Sequence, residues 1–234
     1  MSTERSAVEP ELQRLQQLLV RMAALSEENI RLAVDALRRR DSVRLEEAVA
    51  ADTVVDLTEL EIDELCVSLL ALRQPLGRLL RFVASALKIV KDVERVGDIA
   101  KSIARHGLQL LDERPVPFPP EIGEMAGLAG SLLRSSLDAF VFQDAVEARE
   151  VIARDAALDL LHRDNHRRLV EQMCRDAASI PALAHFLSVN KALERVGDHS
   201  CNIAAMVVFL VEGKDIRHLG KRRGPARASE VREG

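Results

Sequence analysis

The second half of the chain restates the first, and no other feature constrains the fold as much. Residues 87–104 read LKIVKDVERVGDIAKSIA and residues 187–204 read LSVNKALERVGDHSCNIA. At a shift of 100 they agree at 9 of 18 positions, including all of ERVGD, where chance at average composition gives roughly one match. Upstream the shift is 103: Asp35 and Ala36 match Asp138 and Ala139, Asp41 matches Asp144, Asp52 matches Asp155, and Asp56 matches Asp159. The second copy has therefore lost three residues between these blocks, and a turn is the natural place for the loss.

Each copy contains three apolar-periodic stretches, at 10–40, 42–73 and 75–113, then 121–142, 144–179 and 181–219. In the third, Val83, Leu87, Val90, Val93, Gly97 and Ala100 step by threes and fours, as one face of a helix does. Phe186, Val189, Leu193, Val196, Ser200 and Ile203 repeat the step. Pro75 and Pro181 suit the first turn of a helix, and Asp41 and Asp144 suit caps. RPVPFPP, at 114–120, cannot be helical and links the copies. Three helices joined by short turns pack as an up-down-up bundle. The expected fold is all-α: two tandem homologous three-helix bundles, elongated because some helices exceed 30 residues, roughly 45 Å. The first bundle spans 1–113, the linker 114–120 and the second bundle 121–219, and the tail 220–234 lacks a periodic pattern and reads as disordered.

Composition narrows the function. The chain has no Trp or Tyr and only 6 Phe, which argues against a β-sandwich or barrel and leaves few platforms for stacking bases. Net charge is −4 with both signs interspersed, so no basic field recruits nucleic acid. No window approaches a membrane span, and the N-terminus has no signal-peptide core. Cys66, Cys174 and Cys201 form no CxxC pair and read as free thiols in a reducing cytosol.

The chemistry lies in carboxylates at helical spacing. Each copy has two acidic i, i+4 pairs: Asp52/Asp56 and Glu94/Asp98, then Asp155/Asp159 and Glu194/Asp198. Residues four apart share a helix face and, as like charges, repel. If the second and third helices of a copy are neighbours, the pairs converge into a four-carboxylate patch that needs a cation. Such a hard oxygen site suits Mg²⁺, Mn²⁺, Ca²⁺ or Fe³⁺. An isolated acidic pair is usually a solvated face; recurrence of all four at equivalent places favours metal. Gly97 and Gly197 lie between the paired acids, where a glycine costs about 1 kcal/mol relative to Ala. They admit either a neighbouring backbone or metal cluster, or tight helix packing alone. Arg95 and Arg195 either steady the acids, pair across helices or are surface charges. Glu59 and Asp63 extend the first acidic face, and His162 and His166 the second. His199 points off its pair's face and suits a partly buried or supporting role.

ALRQPLGRLLRFVASALKIVKDVERVGDIA (71–100) resembles the central segment of PhoU proteins, and LERVGDHSCNIA (193–204) resembles the matching segment of their second repeat. The similarity covers about residues 10–216. The resemblance implies two similar three-helix bundles whose E(D)xxxD motifs bind multinuclear metal clusters. Carried over, the ligands are Asp52, Asp56, Glu94 and Asp98, then Asp155, Asp159, Glu194 and Asp198, holding iron, manganese, magnesium or zinc. It also implies a cytoplasmic negative regulator of phosphate uptake and phosphate-starvation signalling. Its expected partners are the ATPase of the Pst phosphate ABC transporter, the phosphate-sensing histidine kinase and a second copy of itself. Two departures stand out. Leu79 takes the place of an Asp often found in the family, and Lys101-Ser102 stand where the second copy has Cys201-Asn202, so the two metal sites are expected to differ. The alternative is a carboxylate-bridged di-metal oxidase in a helical bundle, but Glu-x-x-His is missing from the repeated pairs. Asp159-x-x-His162 comes nearest, and no Ser/His/Asp or Cys/His set is visible.

Overall fold

A computed structural model describes residues 2–216. The tail expected to be disordered, and the last residues of the sixth stretch, lie outside the described residues. Six helices follow one another: α1 (Ser2–Arg39), α2 (Ser42–Arg73), α3 (Gly77–Leu111), α4 (Pro120–Phe142), α5 (Ala145–Arg175) and α6 (Ile180–Glu212). A 3₁₀ turn, Ala177–Ser179, precedes α6.

The two copies turn corners by the same chemistry. Arg40 and Gln143 adopt left-handed backbone, with φ of 55° and 52°. The amides behind them then reach back, Asp41 N to Ala36 O at 3.0 Å and Asp144 N to Ala139 O at 2.9 Å, which satisfies carbonyls at the helix end. Each aspartate next caps the following helix. Asp41 accepts from Arg44 N at 3.1 Å, and Asp144 accepts from Val146 N at 2.8 Å and Glu147 N at 3.1 Å.

Four boundaries differ from the periodicity. α1 begins upstream of Pro10, which lies inside it past the first turn, where a proline removes the bond to the carbonyl four residues back and crowds it. Pro75 lies in the α2–α3 turn, not in the first turn of α3. It disfavours helical backbone at Gln74, which sits at φ 43°, and Gly77 opens α3 at φ 59°. α5 stops at Arg175, and Asp176 caps the 3₁₀ turn through Ala178 N at 3.1 Å. Gly213, at φ 72°, closes α6 at Glu212. The lost residues belong to the α2–α3 turn: Arg73 plus 103 is Asp176 and Gly77 plus 100 is Ala177, so Gln74, Pro75 and Leu76 have no counterpart. The deletion shortened a turn and left both helix faces in register.

Within each copy all three helices touch, and the copies join through α3 against α6 and α1 against α4. The apolar stripes of α3 and α6 therefore face two ways, into their own bundle and into the other. Val83, Val90, Val93, Phe186, Val189, Leu193 and Val196 are all buried in one continuous core. α3 and α6 cross antiparallel: Lys88 lies over the Phe209 ring, Asp92 pairs with His199, and His106 Nδ1 meets His185 Nδ1 at 3.2 Å. No helix among the described residues is long and apolar enough to cross a membrane.

Candidate metal centre

In each copy one acid of the second helix is sunk against the mid-helix glycine of the third. A Cβ at Gly97 would lie 3.1 Å from Asp52 Oδ1 and 3.0 Å from Val55 Cγ1. A Cβ at Gly197 would lie 2.3 Å from Asp155 Oδ1 and 2.6 Å from Leu158 Cδ2. The glycines are thus explained by the approach of a carboxylate together with its neighbouring apolar side chain. Asp52 is 2% exposed, and its Oδ1 is buried without a hydrogen-bond partner. An anionic oxygen held this way is costly, and it fits a cation.

The remaining acids gather around these two. In the first copy, burial raises the Asp56 carboxyl above the usual range, aided by Asp52, Asp98 and Glu59 and opposed by Lys101. Burial likewise raises Glu94, aided by Asp98 and Glu59 against Arg95. In the second copy, burial pushes Asp155 up to about 6. The hydrogen bond from the Cys201 thiol opposes that shift, and Asp159, Asp198 and Glu194 add to it. Burial and then Glu194 raise Asp198. The sequence-derived quartets Asp52, Asp56, Glu94 and Asp98, and Asp155, Asp159, Glu194 and Asp198, are therefore brought within electrostatic reach of one another.

Their oxygens do not converge on a single point: among the described residues no three His, Cys, Asp or Glu side chains form a ligand group. Several turn toward the nearest cation instead. Lys101 Nζ sits 2.7 Å from Asp52 Oδ2, Arg95 lies 3.2 Å from Asp98 and 3.5 Å from Glu94, and Lys191 lies 2.5 Å from Glu194. Arg95 thus steadies the acids of its own helix. Arg195 instead lines a cleft of about 620 Å³ between the copies, with His106, His162, His166 and Lys191. Lys91 holds Glu59 at 2.5 Å and Asp63 at 3.3 Å. His162 Nδ1 accepts from the buried Asn190 amide at 2.9 Å. His199 and Asn202 both bond Asp92 of the other copy, at 2.9 and 3.2 Å. Leu79 is half-buried against the core. All three cysteines are free thiols.

The role of Lys101 was only half visible beforehand. It follows Asp98 by three positions on the same helix face, and nothing local says that it reaches across to Asp52. Asp92 and Asn190 carry no local signal, because their partners lie on other helices; the same holds for Asn165, which donates to Asn190 Oδ1 at 2.9 Å.

The PhoU domain matches twice, at residues 19–106 and 122–207. The chain belongs to the PhoU family. The phosphate-specific transport system accessory protein PhoU homolog of Pseudomonas putida is 36% identical over 91% of this chain and 84% of its own length. The PhoU accessory protein of Escherichia coli K12 is 30% identical over 90% and 87%. The crystal structure of PhoU from Pseudomonas aeruginosa matches with a TM-score of 0.83 at 34% identity, covering 88% of this chain and all of that one. The phosphate transport system regulatory protein PhoU from Streptococcus pneumoniae matches with a TM-score of 0.82 at 28% identity, covering 89% and 98%. PhoU relatives are named accessory and regulatory proteins, not enzymes, which speaks against a di-metal oxidase.

The two PhoU glycines should respond unequally to Ala. The added methyl gains about 1 kcal/mol in helix propensity, while overpacking costs about 1–3 kcal/mol. At Gly97 the contacts are near the tolerated limit, so Gly97→Ala should be close to neutral in urea unfolding. Gly197→Ala must push Asp155 and Leu158 aside and should lose up to about 2 kcal/mol. A Gly197→Ala protein at least as stable as Gly97→Ala would show that Asp155 swings away freely.

Proposed function

We propose that this PhoU-family chain is a metal-binding negative regulator of phosphate uptake and phosphate-starvation signalling. It acts by contact with the phosphate ABC transporter ATPase and a phosphate-sensing histidine kinase, as a cytoplasmic homodimer. The names of its relatives support the phosphate-transport setting. One observation supports the metal above all: the buried, unpartnered Asp52 oxygen amid further carboxylates; at Asp155 the approach to the glycine is repeated, with a part-buried carboxylate that accepts from the Cys201 thiol.

Asp52, Asp56, Glu94 and Asp98 would hold one metal group, and Asp155, Asp159, Glu194 and Asp198 the other, with iron, manganese, magnesium or zinc as candidates. A bound cation supplies open coordination positions for a partner's carboxylate or a phosphate oxygen. The chain's own residues set the spacing of the oxygens, through helix repeats of four, and sink one carboxylate per copy against glycine. Without compensation the same face is anionic and repels such partners.

A strain lacking the gene should express phosphate-starvation genes even in high phosphate, and the wild-type chain should restore repression. The protein carrying Glu94→Ala, Asp98→Ala, Glu194→Ala and Asp198→Ala should restore it less well at equal protein level. Normal repression in the deletion strain would sink the regulatory reading. Full repression by the variant would leave the regulator and remove the metal from its mechanism.

A further inference from the structure

The two acidic clusters differ beyond the shared quartets: Glu59 and Asp63 flank the first where His162 and His166 flank the second, and one further difference reaches the sunken acid itself. Lys101 and Cys201 are equivalent under the shift of 100 that relates the ERVGD segments. Lys101 is 27% exposed and places its ammonium 2.7 Å from the buried Asp52. Cys201 offers Asp155 only a neutral thiol hydrogen bond. Arg95 adds a second cation to the first cluster, on Asp98 and Glu94. Its counterpart Arg195 lines the cleft between the copies instead. The second cluster keeps Lys191 on Glu194, but nothing cationic reaches its sunken acid.

We infer that Lys101 serves as a built-in cation for the first cluster, so that the chain takes divalent metal first and more tightly in its second copy. The inference rests on the metal reading above and adds an order of filling to it. A metal entering between Asp52, Asp56 and Asp98 meets a positive charge already in hydrogen-bond contact with one intended ligand. Either it binds beside that charge or it displaces the ammonium and breaks a largely buried ion pair. Both routes weaken binding, because a unit charge at contact distance in a partly buried site acts strongly on a divalent ion. The unpaired Asp52 Oδ1 remains as a foothold, so the first cluster binds weakly and is not abolished. In the second cluster the metal displaces only a thiol proton donor from Asp155.

Equilibrium dialysis of the full chain against Mn²⁺ alone tests this. Wild type should show two classes of site, separated by at least about tenfold in Kd. Asp155→Asn with Asp198→Asn should remove the tight class, and Asp52→Asn with Asp98→Asn the weak one. Lys101→Gln should tighten the weak class at least about tenfold and leave the other unchanged, while Lys101→Arg should stay weak. The converse substitution, Cys201→Lys, should weaken the tight class by a similar factor, and it decides the matter if Lys101→Gln does not fold. Equal affinities in wild type, or no response of the first copy to Lys101→Gln together with none of the second to Cys201→Lys, would overturn the inference and leave the metal reading intact. No Mn²⁺ bound by any of these proteins would overturn both.

Discussion

Replacing Asp155, Asp159 and Asp198 with Asn and Glu194 with Gln should abolish metal binding in the second copy and, in chelated solution at pH 8, stabilise the protein. Loss of four oxygen ligands should lower affinity more than the roughly hundredfold seen for supporting residues alone. The stability effect follows from titration. The Asp155 carboxyl is pushed up to about 6, chiefly by burial, against an ordinary value near 4. A group raised on folding contributes stability that is fully present below its unfolded value and lost as pH rises through its folded value. Metal-free wild type should therefore gain stability between pH 8 and about pH 5, and Asp198, also raised by burial, adds in the same direction. The neutral variant lacks this dependence, so its advantage should shrink as pH falls. Metal affinity runs the other way, weakening below about pH 6 as protons compete for Asp155. Urea unfolding with chelator at pH 8, 6.5 and 5 reads the first effect, and dialysis over the same range the second. A variant less stable than wild type at pH 8 would mark the acids as structural.

Phe140→Ala should cost about 3–5 kcal/mol and lower the melting temperature by roughly 10 °C. Phe140 is 0% exposed, and its ring stacks on Phe82 with centroids 5.0 Å apart. Phe82 belongs to α3 and Phe140 to α4, so this contact joins the copies as well as filling the core. Unfolding should remain a single transition followed equally by circular dichroism and by hydrogen exchange in both copies. Phe142→Ala, two residues on at a side chain 79% exposed, should change stability by less than about 0.5 kcal/mol. Two separate transitions in Phe140→Ala would show that the copies hold together independently of this contact.

The helices were legible in the sequence because their causes are local. Apolar spacing placed the α3 and α6 faces, and Asp41 and Asp144 announced their caps before any side-chain contact was known. The eight ligand candidates were legible through duplication, since one acidic pair alone is indistinguishable from a solvated helix face. What escaped was set at a distance. Pro75 looked like a helix start, yet its effect fell on Gln74 and moved the start to Gly77. The reason for Gly97 and Gly197 lies in Asp52 and Asp155 on another helix, and spacing along one helix does not report what stands opposite it. The crossing of α3 over α6 was invisible for the same reason. Nothing near Asp92 in the chain indicates that His199 and Asn202 wait across the seam.

That seam is directional. Asp92 meets His199 and Asn202 across it, but the positions equivalent to this trio are Ala192, Ile99 and Ser102, which cannot reproduce the contact. His106 meets His185, and their equivalents are Met206 and Ser85. Although the halves are related by near-symmetry, both of these contacts are made once: the first half supplies Asp92 to an imidazole and an amide of the second, and the histidine pair has no repeat. Two first halves pressed together along the same seam would set Asp92 against Ile99 and Ser102, and two second halves would set His199 against Ala192. The halves have become complementary, like two unlike subunits fused into one chain, and neither is equipped to stand in for the other.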